Sequence, residues 1–351
     1  MRTSGGGTQP IRPIQILVVD DSPVIRDILA RMLQSEPGFD LVGTAQDGRE
    51  AILMTAALHP DVVTMDLHMP QMNGVDAIRY IMKHTPTPIV VLAADVHEDS
   101  AVMAAQAIAA GALTVVEKPC GISPLDYDAV RGQLVMAIRL IAGVQLVTLA
   151  RRDTARAVVE EGHHAKVVAI GASTGGPGIL HRILHALPGD LPVPIVIVQH
   201  ITAGFGAGFV RWLDSVTSIN TRLAQDKEPL RSGTALIAPE EQHITVQAGG
   251  IVRLDTDAPV NGVRPSATRL FDSVAKVYRE TGVGILLTGM GDDGAVGLEH
   301  LWRAGGYTVA QDEASCVVFS MPQSAIARGI VRQVLSPDEI AAFLMQLNIK
   351  T

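Results

Sequence analysis

The sequence predicts an α/β protein made of two doubly wound parallel-sheet domains in tandem. Three observations carry this. Short apolar runs alternate with amphipathic stretches from Ile14 to Lys118, and the alternation resumes at Lys166. Acids, a lysine, a serine and a histidine fall at the ends of the apolar runs, where open parallel sheets bind ligands. Between the two blocks, residues 148–164 turn charged and lose their apolar runs, as a linker does.

The elements follow in order. IQILVV leads into PVIRDILARML, FDLVGTA into GREAILMTAAL, DVVTMDL into GVDAIRYIMKH, and PIVVLAA into SAVMAAQAIAAG; LTVVEK closes the set. A helix over DAVRGQLVMAIRLIAGV follows Pro124. In the second block KVVAI, PIVIVQH, TALIAP, GILLTG and YTVAQ are the candidate strands, while ITVQ and IVRLD flank the turn AGG as a β-hairpin. The expected organisation is a disordered, Gly-rich lead-in over 1–13, a first domain over 14–140, a linker over 141–165 and a second domain over 166–347.

Composition narrows the function. With 47% hydrophobic and 18% charged residues, the 351-residue chain can build two cores. A net charge of −8 without a long basic run or a basic recognition helix argues against nucleic-acid partners. No stretch of about 18 apolar residues is free of charges or breakers, so no membrane insertion is expected. The N-terminus lacks a signal-peptide pattern, and a cytoplasmic protein is expected. Cys120 and Cys316 form no CxxC and are expected to be reduced, buried thiols.

In the first block Asp20 and Asp21 end the first strand, Asp66 the third, and Lys118-Pro119 the last. Converging carboxylates repel one another and call for a cation; hard oxygen ligands from Asp20, Asp21 and Asp66 suggest Mg²⁺. Lys118 can then pair with a bound anion. A carboxylate beside Mg²⁺ and a lysine suits phosphoryl acceptance, since both cations offset charge on the transferring group. The competing reading is helix capping, by Asp21 or Ser22.

Residues 14–120 resemble a response-regulator receiver domain, on the Asp20-Asp21 pair, Asp66 in MDLHMPQMNG and Lys118-Pro119. The resemblance implies a five-stranded, flavodoxin-like parallel sheet. It implies that Asp66 takes phosphate from a sensor histidine kinase, that Asp21, Asp66 and the His68 carbonyl hold Mg²⁺, and that Lys118 contacts the phosphate. Two positions depart from the family pattern. Ala93 stands where receivers carry Ser or Thr, and Val115 where they carry an aromatic residue. The usual hydroxyl–aromatic switch therefore has no side chains to act through.

The second block opens on GASTGGP, between a strand and a helical stretch. GASTG fits G-x-S-x-G, a turn that can present Ser173 as a nucleophile, with amides at the helix start as oxyanion donors. The same turn could bind phosphate or simply permit close packing. It is not a Walker A loop, since no Lys-Ser or Lys-Thr closes it. His200 ends the strand PIVIVQ and could serve as base; Asp292 and Asp293 end GILLTGMG and could orient it. The rival reading takes GMGDDG as G-x-G-x-x-G, with Asp312 at ribose-binding spacing. Two carboxylates inside a pyrophosphate loop weigh against it.

Residues 166–347 resemble the catalytic domain of chemotaxis-type protein-glutamate methylesterases, on GASTGGP, QHI, IAPEEQH, VRPSATRLFDSVA, TGMGDDG and QDEASCVVFSMP. The resemblance implies a triad of Ser173, His200 and Asp293, with Thr174 and Met290 near the oxyanion and ester. It implies that the segment IAPEEQH shapes the substrate surface, while His243 within it reads as a structural residue. The implied substrates are methylated glutamates on cytoplasmic chemoreceptor helices. Some members also deamidate glutamine, and neither reaction needs a metal or cofactor. It further implies that the receiver covers the active-site edge until Asp66 is phosphorylated. A catalytically silent receiver scaffold and a dinucleotide-binding protein are the alternatives.

Overall fold

Two parallel sheets organise the chain. The computed structural model describes residues 12–93, 98–118, 124–144, 164–202 and 204–347. Most of the expected lead-in, most of the expected linker, Pro119 and Cys120 lie outside the described residues.

The first domain alternates β1 (Ile14–Val19), α1 (Pro23–Gln34), β2 (Phe39–Ala45), α2 (Gly48–Leu58), β3 (Val62–Asp66), α3 (Gly74–His84), β4 (Ile89–Ala93), α4 (Glu98–Ala109), β5 (Thr114–Glu117) and α5 (Pro124–Ile141). Its five strands run parallel in the order β2-β1-β3-β4-β5. Strands β3 and β4 are buried throughout, which is why VVTMD and IVVLA read as nearly unbroken apolar runs. Strand order reverses at β1/β3, so their carboxyl ends form the crevice. Ser22, not Asp21, caps α1 by accepting from the Ile25 amide at 3.4 Å, with Pro23 at the first helical position. Asp21 thus stays exposed at the crevice.

The second domain contains β6 (Val167–Ala172), α6 (Gly176–Ala186), β7 (Ile195–Gln199), α7 (Gly206–Val216), β8 (Asn220–Leu223), β9 (Thr234–Ile237), β10 (His243–Gln247), β11 (Ile251–Asp255), α8 (Ala267–Val277), β12 (Gly282–Leu286), α9 (Ala295–Arg303), β13 (Tyr307–Gln311), α10 (Ser320–Ala327), β14 (Gln333–Leu335) and α11 (Pro337–Met345). Seven strands run parallel in the order β14-β13-β12-β6-β7-β9-β8, and β10 and β11 pair antiparallel as the expected hairpin. The two strands not anticipated, β8 and β14, are the sheet edges. Each is short, and a half-solvated edge needs no apolar run. Helices cover both faces, leaving one core on either side of the sheet.

The domains pack through α4, which lies against α6 and α7. Phe205 and Ile201 of the second domain join the first domain's core, and Ala105 of α4 joins the other. Small residues permit this approach: a Cβ on Gly208 would stand 2.2 Å from Ala101 Cβ. Thr202 Oγ1 donates to the Val115 carbonyl at 2.8 Å, tying the loop after β7 to β5.

Cys316 is a free, half-buried thiol. Burial, reinforced by the charge of Asp312, pushes it up to about 12, so it stays protonated at neutral pH and is a poor nucleophile. In Cys120→Ser protein, a disulfide reagent at pH 8 is expected to label no thiol in the native state and one after denaturation.

Candidate active site

Three strand ends of the second sheet meet where its order reverses, between β6 and β12. Ser173 directly follows β6. Its amide donates to the Thr288 carbonyl at 3.0 Å, and its own carbonyl accepts from the Gly176 amide at 2.8 Å and Gln199 Nε2 at 2.9 Å. Gly175 caps α6 at φ 78°, a left-handed turn whose missing Cβ would otherwise lie 2.5 Å from Val317. The strand-to-helix turn expected from GASTGG is therefore present, with Ser173 half-buried at its apex.

His200 directly follows β7. Gln199, buried at the end of that strand, also donates to the His200 carbonyl at 2.8 Å, so one amide side chain clamps both loops. His200 Nε2 lies 3.1 Å from Asp293 Oδ2. Asp293 is only 4% exposed and sits on the N-terminus of α8. Its carboxylate accepts from Ser266 Oγ at 2.8 Å, the Ala267 amide at 2.7 Å and the Thr268 amide at 3.1 Å. Burial alone would raise its pKa. The bonds from His200, Ser266 and Ala267 outweigh that and hold it at about 2. Asp292 beside it is exposed.

Ser173, Thr174 and His200 line one cavity of about 80 Å³, whose other wall is Ala101, Ala104, Ala105 and Ile108 of receiver helix α4. Thr174 offers its carbonyl to Thr288 Oγ1 at 3.0 Å. Met290 is exposed and is not among the residues that line this cavity. It follows Gly289, where a Cβ would lie 2.7 Å from Ser173 Cβ. His243 lies away from this cavity, fully buried at the start of β10.

The loop GMGDDG holds Asp293 against His200 and α8, and its first glycine faces Ser173. Asp312 accepts from Ser315 Oγ within its own turn. A dinucleotide cradle is not favoured by this arrangement. Sequence reasoning missed Ser266, Gln199 and Thr288 as supports of the site. Only Ser266 carried a local signal, as a serine directly ahead of an amphipathic helix.

At the receiver's crevice, ligand oxygens of Asp20, Asp21 and Asp66 lie within 4.8 Å of one another. Lys118 Nζ stands 2.7 Å from Asp20 Oδ2 and 2.9 Å from Asp66 Oδ2, all three side chains being buried. Burial raises the Asp66 pKa, with Lys118 working against the shift. For Lys118, burial opposes the charge, but Asp66 and Asp20 prevail and hold its pKa above the ordinary value. The oxygen-only donor set suits a hard divalent cation. Ala93 and Val115 are both buried, and no hydroxyl or aromatic ring stands at either position.

Comparison with known proteins places both domains in known families. The family model described as CheB methylesterase matches residues 168–344, and that of the response regulator receiver domain matches 16–127. A protein-glutamate methylesterase/protein-glutamine glutaminase of Anaeromyxobacter dehalogenans is 45% identical over 341 residues, 96% of this chain and 98% of the relative. One of Symbiobacterium thermophilum is 39% identical over 347 residues, 94% of this chain and 96% of the relative. Among solved structures, the catalytic domain of Thermotoga maritima CheB methylesterase superposes with a TM-score of 0.51 at 38% identity, covering 52% of this chain and 98% of that one. The chain therefore belongs to the CheB methylesterase family, in the form that carries a response-regulator receiver domain ahead of the catalytic domain.

Proposed function

We propose that this chain is a phosphorylation-regulated protein-glutamate methylesterase that also deamidates glutamine side chains, acting on cytoplasmic helices of methylated chemoreceptors. The observation that carries the chemistry is the 3.1 Å contact between His200 and a buried, ionised Asp293, beside the turn that presents Ser173. Because His200 Nε2 faces the acid, Nδ1 is the nitrogen available to the serine.

In this mechanism Nδ1 takes the Ser173 proton as Oγ attacks the glutamyl ester carbonyl. The oxyanion develops beside Thr174, at the positive end of the α6 dipole. Met290, next to the Gly289 that faces Ser173, is assigned to the ester side of the site by the family resemblance. The tetrahedral species collapses and methanol leaves with the proton from His200. Water then attacks the acyl-enzyme, giving its proton to Nδ1, and free glutamate and Ser173 are regenerated. A glutamine amide follows the same path with ammonia as the leaving group. Asp293 remains ionised throughout, fixes the tautomer and offsets the imidazolium charge. A serine-directed phosphonate probe is expected to form one adduct, on Ser173, and none in Ser173→Ala protein. A silent scaffold would give no adduct in either.

Regulation rests on the docked receiver. A cavity of about 80 Å³ cannot admit a receptor helix, which is about 10 Å across. The docked arrangement is therefore the closed state, and activity requires α4 to leave. Asp66 is the phosphoacceptor for a sensor histidine kinase, and Lys118 is the cation that meets the phosphoryl group. Mg²⁺ held by Asp20, Asp21 and Asp66 would neutralise charge on that group. With Ala93 and Val115 in place of the usual pair, the signal has to reach the interface through backbone and packing. The Thr202–Val115 bond and the α4–α7 contact are the routes the fold offers.

A Cβ on Gly208 meets Ala101 of α4 before anything else, so a side chain there strains the docked state. Overpacking of about 1–3 kcal/mol shifts the closed–open balance by roughly 5- to 150-fold. Gly208→Val protein is accordingly expected to show raised basal methanol release and a smaller further gain from a phosphodonor.

A further inference from the structure

His243 is 0% exposed, yet both ring nitrogens are engaged. Nδ1 lies 3.2 Å from the Ser266 amide and Nε2 lies 3.2 Å from the Ala258 carbonyl. An amide only donates and a carbonyl only accepts, so the ring is neutral, with its hydrogen on Nε2 and a lone pair on Nδ1. Burial keeps its pKa below the ordinary value, as do the charges of Arg269 and Arg264, against the opposing pull of Asp255. No other neutral side chain of this size puts an acceptor and a donor on opposite edges of one rigid ring.

The residue that His243 holds is Ser266, the N-cap of α8. Ser266, Ala267 and Thr268 supply three of the hydrogen bonds that seat Asp293. A chain of contacts thus runs from His243 through the α8 N-terminus to Asp293, and from there to His200. We infer that His243 is a positioning residue for the triad, fixing the backbone cradle that aims the Asp293 carboxylate at His200. This inference rests on the triad reading above. It assigns His243 an internal role, in contrast to the substrate-surface role that the family resemblance suggests for its segment.

Two substitutions separate the two ring functions. His243→Asn keeps an acceptor near the Nδ1 position. His243→Gln keeps a donor near Nε2 and loses that acceptor. Misplacing a catalytic group by about 1 Å costs on the order of 100-fold. The expected result is therefore an Asn variant within about threefold of wild-type kcat, and a Gln variant reduced by about 10- to 100-fold in kcat with KM nearly unchanged. Proton–nitrogen correlation spectra of the imidazoles supply a readout that does not depend on turnover. His200 is expected as the Nε2–H tautomer in wild type and Asn variant, and as a mixture in the Gln variant.

Equal kcat for the Asn and Gln variants at matched thermal stability would overturn the assignment. So would a rise in KM alone, which would return His243 to the substrate surface. If the Gln variant cannot be purified folded, the Asn variant decides: kcat within about threefold upholds the acceptor role, and a tenfold loss overturns it. If wild type itself releases no methanol, the triad reading fails. The spectra would still report whether His243 governs the His200 tautomer.

Discussion

Ser173→Ala lowers ester hydrolysis by about 10⁶-fold, the scale on which removal of a triad nucleophile acts. Stability changes little, because the turn is held by groups that the substitution leaves in place. The Thr288 carbonyl receives the residue-173 amide, Gln199 and Gly176 donate to its carbonyl, and Gly175 supplies the left-handed cap. Loss of a half-buried hydroxyl is expected to change unfolding free energy by about 0.5 kcal/mol or less. Parallel urea unfolding and methanol-release assays separate the two effects. A variant that loses activity and unfolds far earlier than wild type would assign Ser173 a structural role instead.

Asp293→Asn should cost about 10⁴-fold in kcat, since an amide can hold the wrong imidazole tautomer. It should also destabilise the fold. The wild-type carboxylate accepts from two backbone amides, a hydroxyl and His200, and an Asn NH₂ can accept none of these. The pH dependence follows from the depressed pKa. Lowered from its ordinary value of 3.8 to about 2 in the fold, the ionised form contributes about 2 kcal/mol of stability. That contribution is fully present above about pH 4 and is lost as pH falls through about 2. Urea unfolding should therefore show the gap between wild type and Asp293→Asn narrowing from pH 5 to pH 2. A gap unchanged over that range would mean Asp293 is not held as a carboxylate by these bonds.

The strand ends that form the candidate site were legible in the sequence because buried parallel strands read as continuous apolar runs. VVAI, IVIVQ and GILL end abruptly, so the polar residues that follow them mark one sheet edge. The same logic pointed to Asp20, Asp66 and Lys118, whose side chains converge at the first sheet's crevice. Edge strands β8 and β14 left no such run, since NTRL and QVL face solvent on one side. Asp293 could not be told from Asp292 by pattern alone. Family resemblance chose it, and burial together with four hydrogen bonds gives the physical reason. Ring geometry was equally invisible: nothing in QHI tells which His200 nitrogen faces the acid. The α4–α7 contact depends on Gly208 meeting Ala101, and single small residues have no periodic signature.

On the proposed function, docking of α4 over the site would give the receiver a direct lever on catalysis, and its departures at Ala93 and Val115 make that lever the property most worth testing. The decisive measurement is methanol release from membranes bearing methylated chemoreceptors, with and without Mg²⁺ and a small phosphodonor. Wild type, Ser173→Ala and Asp66→Ala are compared side by side. Expected are release by wild type that rises with the phosphodonor, release by Asp66→Ala that ignores it, and none by Ser173→Ala. Release that persists in Ser173→Ala, or wild-type release indifferent to the phosphodonor, would contradict the proposed function.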